Sequence, residues 1–233
     1  MAESPRPLPF EIRYDDGARS IRLRQARVSD VEALMEAFDE SVQELRAFLP
    51  WSLNPQSVEQ QRVRITEFEE GRGPRGVNPY HLFDGAGERL LGCVGWNTSR
   101  SLNPRAAEIG YWMRTSASGR GLMTLATQCM VVLGFEWLKS ERIQCGYNEG
   151  NTASERICEK VGFHEKRSIR LFQEQPTEDT RRMGYVAGPN NIICALFHDD
   201  TPKLDWYEGV RASLTLLDSD GGVLWSPDDE ASP

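Results

Sequence analysis

Three short groups of residues in this chain could take part in a group transfer. A carboxylate, Glu108, lies in an apolar strand-like segment, a turn with Gly119 and Gly121 follows it, and Asn151 and Ser154 stand three residues apart further on. Glycines in a turn before a helix let the backbone approach a ligand and direct several N–H groups at it, and the helix start adds the positive end of its dipole. The turn therefore favours a phosphate or pyrophosphate, although taken alone it is equally typical of a simple tight turn.

The pair Asn151 and Ser154 also allows two interpretations. Both residues fall on one face at the start of a predicted helix. An asparagine before a helix commonly caps it, so the spacing alone favours a structural role. The glycine turn upstream shifts the balance towards a functional role.

Taken together, these segments resemble the GNAT acetyltransferase superfamily, and within it the RimJ/RimL-like branch of ribosomal-protein N-terminal acetyltransferases. The resemblance extends over about residues 20–200. The matching pieces are Glu-Ile-Gly-Tyr-Trp at 108–112, Gly-Arg-Gly-Leu-Met at 119–123, Asn-x-x-Ser at 151–154, Glu-Lys-Val-Gly-Phe at 159–163 and, more loosely, Leu-Arg-Ala-Phe-Leu-Pro-Trp at 45–51.

One position departs from the family pattern. The loop that binds acetyl-CoA in the superfamily usually begins with glutamine or arginine, and here that position is Ser116. Both glycines are intact, so we expect the loop to bind while losing one side-chain contact.

The resemblance implies a role for each part of the site. It implies that Glu108 is the general base, with a structural carboxylate as the equally weighted alternative, and that Ser154 is the acid that protonates the departing thiolate, with Tyr147 as the alternative acid. It implies an acceptor pocket walled by Phe48, Trp51 and Tyr80. The implied acetyl-CoA-binding residues are Trp112, Met113, Arg114, Ser118, Gly119, Arg120, Gly121, Leu122, Met123, Thr124 and Asn151.

The implied fold is an α/β (α+β) GNAT fold. It has a central mixed, mostly antiparallel sheet of about seven strands, splayed at the acetyl-CoA site and flanked by four or more helices. We expect an N-terminal arm at 1–19, the acetyltransferase domain at 20–200 and an extension at 201–233. The extension contains many large apolar residues, which favours docking on the domain or on a partner chain.

Local patterns place several elements within this fold. The arm could add an edge strand at 10–14. Ser29, followed three residues later by Glu32, predicts a capped amphipathic helix that reaches about Arg46. The sequence Asp-Gly-Ala-Gly at 84–87 predicts a hairpin, a long helix is predicted from Leu122 to Lys139, and residues 173–190 resemble a polar loop.

Composition excludes several other classes of protein. A net charge of -8 and a pI of about 5.1 argue against a nucleic-acid binder that works through a basic surface. No apolar run is long enough for a membrane span and no secretory signal is evident, so we expect a cytoplasmic protein. The five cysteines show no metal-ligand spacing, which predicts buried free thiols, no metal site and no nucleophilic cysteine.

The sequence therefore predicts an N-acetyltransferase that moves acetyl from acetyl-CoA to a primary amine by direct attack in a ternary complex. The expected acceptor is the N-terminal α-amine of a protein or peptide, which needs an open groove. One alternative is a small-molecule amine such as an antibiotic, polyamine or toxin, which needs a closed pocket. The other is an acetyl-CoA-binding module without turnover. A homodimer is compatible with the sequence.

Overall fold

One sheet organises the chain, and its strands come from nearly the whole length of it. The computed structural model describes residues 6–73, 77–97, 106–163, 166–171 and 176–227. Within these ranges ten strands occur: β1 (Glu11–Asp15), β2 (Ser20–Gln25), β3 (Val77–Asp84), β4 (Leu90–Asn97), β5 (Ala106–Met113), β6 (Arg142–Asn148), β7 (Lys166–Leu171), β8 (Asn190–Phe197), β9 (Leu214–Leu217) and β10 (Val223–Trp225).

Six α-helices flank the sheet in the described ranges. They are α1 (Val31–Phe48), α2 (Val58–Glu69), α3 (Leu122–Val132), α4 (Thr152–Val161), α5 (Glu178–Arg182) and α6 (Tyr207–Ala212). The helix predicted from Leu122 to Lys139 is present as α3 and a π-helical turn at Leu133–Trp137. None of the described helices is both long enough and apolar enough to cross a membrane.

The strand order is β10-β9-β1-β2-β3-β4-β5-β6-β8-β7. Only the pair β5 and β6 is parallel among these neighbours, so the predicted mixed, mostly antiparallel sheet with flanking helices is confirmed. The strand number of about seven is too low, because the arm supplies β1 and the extension supplies β9 and β10. The arm strand is also not an edge strand, since β9 covers its outer side.

The sheet opens between β5 and β6. Their pairing covers only the first four residues of each strand, from Ala106 with Arg142 to Ile109 with Cys145. Beyond this point β6 continues to pair with β8, and β5 continues to pair with β4. The edge of β5 from Gly110 to Met113 therefore has no strand on the β6 side, which confirms the predicted splay.

Alternation along the strands divides the sheet into two faces with separate cores. On one face, which we call the α3 face, residues such as Tyr80, Leu82 and Ile109 pack with α3, α4 and α6. On the other, the α1 face, Phe83 and Leu90 pack with α1 and α2. Successive residues of a strand point to opposite faces, so this division fixes which side chains can meet in a cleft.

The predicted hairpin is confirmed, with β3 and β4 flanking residues 85–89. The predicted Ser29 cap is wrong, because Asp30 is the residue before α1. Its carboxylate accepts a hydrogen bond from the backbone N–H of Arg27 and pairs with Arg24. Glu32, expected to complete the cap, instead forms an ion pair with Arg62 of α2.

Residues 176–190, the described part of the polar loop predicted at 173–190, are more ordered than that prediction implies. Within the described part of this segment, α5 forms, and Tyr185 and Ala187 are buried against Leu53 and Phe48. The backbone N–H groups of residues 186 and 187 both donate to the carbonyl of Ala47. The segment therefore holds the end of α1 in place.

The pairing of β9 with β1 predicts that the extension contributes to stability. Leu216 is fully buried on β9, and its replacement by alanine would leave a cavity, so Leu216→Ala should lower the free energy of unfolding by about 2–5 kcal/mol. Urea denaturation followed by circular dichroism measures this loss. Val223→Ala is the control because that side chain is 60% exposed, and it should change stability by less than about 0.5 kcal/mol.

Candidate active site

A continuous cleft of about 1890 Å³ runs through the opening between β5 and β6. The start of α3 and α4 line one half of it, and α1, α2 and the segment after α1 line the other. Fourteen of the residues singled out from the sequence border the cleft: Phe48, Trp51, Glu108, Trp112, Met113, Ser118, Gly119, Gly121, Leu122, Met123, Thr124, Tyr147, Asn151 and Ser154. We call the half at the start of α3 and α4 the donor half, and the half at α1, α2 and the segment after α1 the acceptor half.

The donor half is rich in backbone N–H groups that are available to a ligand. None of the N–H groups from Gly119 to Thr124 has an acceptor among the described residues. The first backbone bond of this stretch is made by the N–H of Leu125, which donates to the carbonyl of Gly121. A row of such donors at a helix N-terminus suits a pyrophosphate.

The two loop glycines are required by their backbone conformation. Gly119 and Gly121 have φ values of 78° and 77°, a left-handed region that costs other residues energy. A Cβ on either would meet no described atom within 4 Å, so the space beside them is open to a ligand. The loop thus fits the phosphate-binding role predicted for it.

Arg114 belongs to the support of this loop and does not face the ligand. Its side chain is buried and forms ion pairs with Glu36 and Glu40 of α1, the second with an N–O distance of 2.7 Å. Arg114, predicted to bind the cofactor, is therefore absent from the cleft lining, and its guanidinium is held by α1. Arg120 also lies outside the cleft lining, and its guanidinium donates to the carbonyl of Ser116.

Ser116, the departure from the family pattern, is used in the same support. Its backbone N–H donates to Glu40 at 2.8 Å, and its hydroxyl accepts a hydrogen bond from Arg89 at 2.8 Å. The nearby N–H of Thr115 donates to the buried hydroxyl of Ser41. Three loop residues are therefore fixed to α1 or to the β3–β4 hairpin.

Glu108 lies at the junction of the two halves. It is buried on β5, and its Oε2 accepts a hydrogen bond from the side-chain amide of Gln144 at 3.0 Å. Gln144 is its direct neighbour on β6, in the last part of the sheet before the strands separate. A carboxylate held this way can accept a proton from an amine that enters over the open edge of β5.

Ser154 is paired with a residue that the sequence did not single out. The hydroxyl oxygens of Ser154 and Tyr111 are 2.8 Å apart, and either can be the donor. Burial raises the pKa of Tyr111 well above its usual value, so this phenol stays protonated at neutral pH. Tyr111 packs on the α3 face, whereas Glu108 and Trp112, at odd spacing from it, point to the α1 face.

The remaining polar candidates have structural partners. The side-chain oxygen of Asn151 accepts the N–H of Ser154 at 3.1 Å, which is the N-cap arrangement of α4. The hydroxyl of Tyr147, the alternative acid, donates to Glu155 at 3.0 Å. Ser118 donates to the carbonyl of Arg114, within its own turn.

Aromatic side chains form the wall of the acceptor half. The rings of Phe38 and Trp51 lie 5.8 Å apart, and those of Trp51 and Trp112 lie 6.5 Å apart. Trp51 is 50% exposed at the lip of the cleft. Phe48 lies beside this wall, and its carbonyl accepts a hydrogen bond from the amide of Asn148 at 2.6 Å.

Tyr80 was assigned to the acceptor pocket, and this prediction is wrong. The residue is fully buried on the α3 face, and its hydroxyl donates to the carbonyl of Pro9. Its neighbour on β3, His81, points to the α1 face and borders the cleft. Residue 80 therefore faces away from the cleft and residue 81 faces it, because successive residues of a strand point to opposite faces.

Sequence reasoning missed other residues that border the cleft. Arg156 and Lys160 of α4 line it and add positive charge to its wall. Their spacing of four residues places them on one helix face. This spacing is visible in the sequence and could have identified them as a pair. Tyr111 carried no comparable signal, since a tyrosine in a strand is usually a packing residue.

Comparison with known proteins gives consistent matches. A sequence profile described as "Acetyltransferase (GNAT) domain" matches residues 20–164. "Probable N-acetyltransferase YjcK" of Bacillus subtilis (strain 168) is 34% identical over 110 residues, which are 47% of this chain and 61% of that protein. "Putative ribosomal N-acetyltransferase YdaF" of the same organism is 29% identical over 152 residues, covering 64% of this chain and 81% of that protein.

A solved structure with a similar fold is "Mycobacterium smegmatis RimJ in complex with CoA-disulfide". It matches with a TM-score of 0.67 and 19% identity, and the match covers 83% of this chain and 90% of that one. At 19% identity, this similarity supports a common fold and nothing beyond it.

The loop geometry predicts that Gly121 matters for binding of a pyrophosphate-bearing ligand such as acetyl-CoA. Gly121→Val should weaken binding more than tenfold, which is over about 1.4 kcal/mol, because the side chain occupies the open space beside the N–H groups. Isothermal titration calorimetry with acetyl-CoA measures the change.

Gly17→Val is the matched control for backbone strain. Gly17 has a φ of 80° and open space around it, but it lies in the turn between β1 and β2. Both variants should lose stability through strain, on the order of 1–3 kcal/mol, whereas only the loop variant should lose affinity. Equal affinities in the two variants would contradict the assignment of the loop.

Proposed function

Because the chain belongs to the GNAT acetyltransferase family, we propose that it transfers the acetyl group of acetyl-CoA to the N-terminal α-amine of a protein or peptide. The chain is an acetyl-CoA-dependent N-acetyltransferase by this family membership; the identity of the acceptor is the proposal. The name of one relative, "Putative ribosomal N-acetyltransferase YdaF", supports it.

The size of the cleft is the main observation that supports a protein or peptide as the acceptor. Its volume of about 1890 Å³ exceeds the roughly 300–1,000 Å³ typical of pockets for one small ligand. The acceptor half is continuous with the donor half, and Trp51 stands half-exposed at its lip. This arrangement leaves room for acetyl-CoA together with the first residues of an extended chain.

The proposed reaction uses both faces of the sheet. Glu108, from the α1 face, takes a proton from the ammonium group, and the neutral amine attacks the thioester carbonyl. The carbon–sulfur bond then breaks, and the thiolate of coenzyme A leaves towards the α3 face, where the Ser154 and Tyr111 hydroxyls lie. One of this pair donates the proton that completes the thiol and is then reprotonated from solvent. The nitrogen, which is positively charged after the attack, loses its second proton to solvent, and no covalent enzyme intermediate is needed.

The backbone of β5 would position the donor. Its residues from Gly110 to Met113 pair with β4 on one side and have no strand on the β6 side. The N–H and carbonyl groups directed to the β6 side are therefore available to the amides of the pantetheine arm. An extended ligand that adds to a sheet edge makes this kind of contact. Trp112 and Met113 would act through their backbone, consistent with their assignment from the sequence.

A small-molecule amine is the second candidate acceptor, and one observation favours it. Beyond the aromatic wall the acceptor half extends between the sheet and the two helices α1 and α2, where Leu34, Ile65 and Phe68 line it. An apolar recess of this kind suits a compact acceptor with an apolar group. The recess also suits the first side chain of a peptide, so the acceptor class needs a direct test.

The test is an acetylation screen that contains both acceptor classes. Peptides with different N-terminal residues, the same peptides blocked at the α-amine, polyamines and aminoglycoside-type amines would be compared by their kcat/KM with acetyl-CoA. We expect unblocked peptides to react and blocked peptides to be inert. Higher kcat/KM for a small amine than for every peptide would overturn the proposed acceptor class.

Trp51 should contribute to acceptor binding only. Trp51→Ala should raise the KM for the acceptor about tenfold or more, since an aromatic anchor at a binding site often contributes over about 1 kcal/mol, while the Kd for acetyl-CoA should not change. Val63→Ala is the control, because this side chain is 53% exposed on α2 and lies outside the cleft lining. An unchanged acceptor KM in Trp51→Ala would show that Trp51 does not contribute to acceptor binding.

Loss of the carboxylate should affect the chemical step. Glu108→Gln should reduce kcat by roughly 10²–10⁴-fold with nearly unchanged acetyl-CoA affinity, because the carboxylate faces the amine. Steady-state kinetics and calorimetry separate the two effects, and Glu159→Gln, an exposed position on α4, serves as the charge-matched control. If Glu108→Gln keeps its rate and its pH profile, the carboxylate is structural.

The pairing of Ser154 with Tyr111 predicts that their effects are not additive. Ser154→Ala and Tyr111→Phe should each lower kcat with little change in KM, because the leaving thiolate gains its charge late in the reaction. The double variant should lose little more than the worse single variant. Single-turnover measurements test this; additive losses would show that the two hydroxyls act separately.

A further inference from the structure

Two residues at the inner end of the acceptor half form a cluster that the proposed acetyl transfer does not use. His81 on β3 and Cys93 on β4 stand directly opposite each other in the antiparallel register, and both border the cleft. Cys93 is in turn the direct neighbour of Trp112 on β5. All three side chains therefore point to the α1 face, behind the aromatic wall.

A third residue orients the histidine. The Nδ1 atom of His81 lies 2.8 Å from Oδ2 of Asp30, and the imidazole is 2% exposed. Asp30 is itself fixed, because Arg24 donates to its other oxygen at 2.7 Å and the N–H of Arg27 donates to Oδ2 at 2.9 Å. Asp30, His81 and Cys93 are therefore arranged in space so that the imidazole lies between the carboxylate and the thiol.

The electrostatics of the cluster favour a charged imidazole. Burial lowers the pKa of His81, but the neighbouring Cys93 and the hydrogen bond with Asp30 raise it to about 9. Burial likewise raises the pKa of Asp30, but hydrogen bonds from His81, Arg24 and Arg27 lower it to about 2. At neutral pH the imidazole therefore carries a positive charge directly opposite Cys93. Reactive cysteines typically have a cationic neighbour of this kind.

Cys93 also differs from the other cysteines in access. Cys129, Cys145, Cys158 and Cys194 are buried, whereas Cys93 is partly exposed and borders the cleft. Burial raises the pKa of Cys129 far above its usual value, so that thiol stays protonated and unreactive. The buried cysteines are therefore internal controls for the reactivity of Cys93.

We propose that Cys93, held against His81 and Asp30, is a nucleophilic thiolate and a site of covalent modification in the acceptor half. The reagent class is a small hydroperoxide that enters through the cleft. The thiolate sulfur attacks the terminal peroxide oxygen, an S–O bond forms, and the O–O bond breaks. Cysteine is oxidised to the sulfenic acid, the peroxide is reduced to an alcohol or water, and the leaving oxygen takes its proton from solvent.

The position of Cys93 determines what this modification would do. A polar oxygen next to Trp112 lies within the apolar recess for the acceptor, while the donor loop lies on the far side of β5 at the start of α3. Oxidation should therefore obstruct the acceptor and leave acetyl-CoA binding unchanged. A thiol reductant should reverse it.

Alkylation kinetics test the reactivity without any acceptor. Iodoacetamide is added to the folded protein at pH 7, and the modified cysteines are identified by peptide mass spectrometry. Sulfur attacks the methylene carbon and iodide leaves, so the rate reports the thiolate. We expect Cys93 to react about tenfold or more faster than glutathione under the same conditions, with the four buried cysteines unmodified. A rate for Cys93 below that of glutathione would overturn the proposal.

Variants identify the source of the reactivity. His81→Gln should slow alkylation of Cys93 about tenfold or more, whereas His198→Gln, at a histidine whose side chain is 57% exposed, should leave the rate unchanged. Equal rates in wild type and His81→Gln would show that the imidazole does not activate the thiol. If His81→Gln fails to fold, as judged by its melting curve, the wild-type comparison with glutathione decides the matter alone.

Hydrogen peroxide tests the consequence for turnover, which rests on the proposed function. Wild type should lose acetyl transfer on treatment, retain its Kd for acetyl-CoA and recover with dithiothreitol, and Cys93→Ala should keep its own starting rate. Equal peroxide sensitivity in Cys93→Ala would overturn the proposed modification. An absence of turnover with every amine, combined with fast labelling of Cys93, would count against the proposed function and leave the thiolate supported.

Discussion

The interruption of the ladder between β5 and β6 is the constraint on which the rest of the site depends. After Ile109 and Cys145 the two strands no longer pair, and the backbone groups of β5 up to Met113 have no strand partner on that side. Backbone polar groups without partners are costly when buried, so the opening must face either water or a ligand that can replace the missing strand. The catalytic candidates, the glycine loop and the aromatic wall all lie around this opening.

The same opening separates the proposed base from the proposed acid in space. Alternation along β5 places Glu108 on the α1 face and Tyr111 on the α3 face, three residues apart. In the proposed reaction the amine would lose its proton on one side of the sheet, and the leaving thiolate would gain one on the other, where Ser154 meets Tyr111. Because Glu108 and Tyr111 lie on opposite faces, the two proposed proton transfers need separate paths.

The sequence was sufficient for features that are local in the chain. The glycines, the hairpin at 84–87, the helix starting at Leu122 and the capping of α4 by Asn151 each follow from neighbouring residues. The misses concern partners far apart in sequence. Tyr80 was predicted to line the acceptor pocket, but its neighbour His81 is the residue of β3 that borders the cleft. The register of His81 with Cys93 and its contact with Asp30, 51 residues away, cannot be deduced from the strand itself. Arg114 was likewise predicted to bind the cofactor, but its guanidinium forms ion pairs with Glu36 and Glu40 of α1.

Glu40 and its neighbour Ser41 also explain how the loop tolerates serine at position 116. A long side chain there would offer a contact to the ligand, but in this chain the loop is held from behind, by Glu40 at the N–H of Ser116 and by Ser41 at the N–H of Thr115. The helix that provides these acceptors, α1, also carries Phe38 of the acceptor wall. The helix α1 therefore contacts both halves of the cleft, through Phe38 at the aromatic wall and through Glu36 and Glu40 at Arg114.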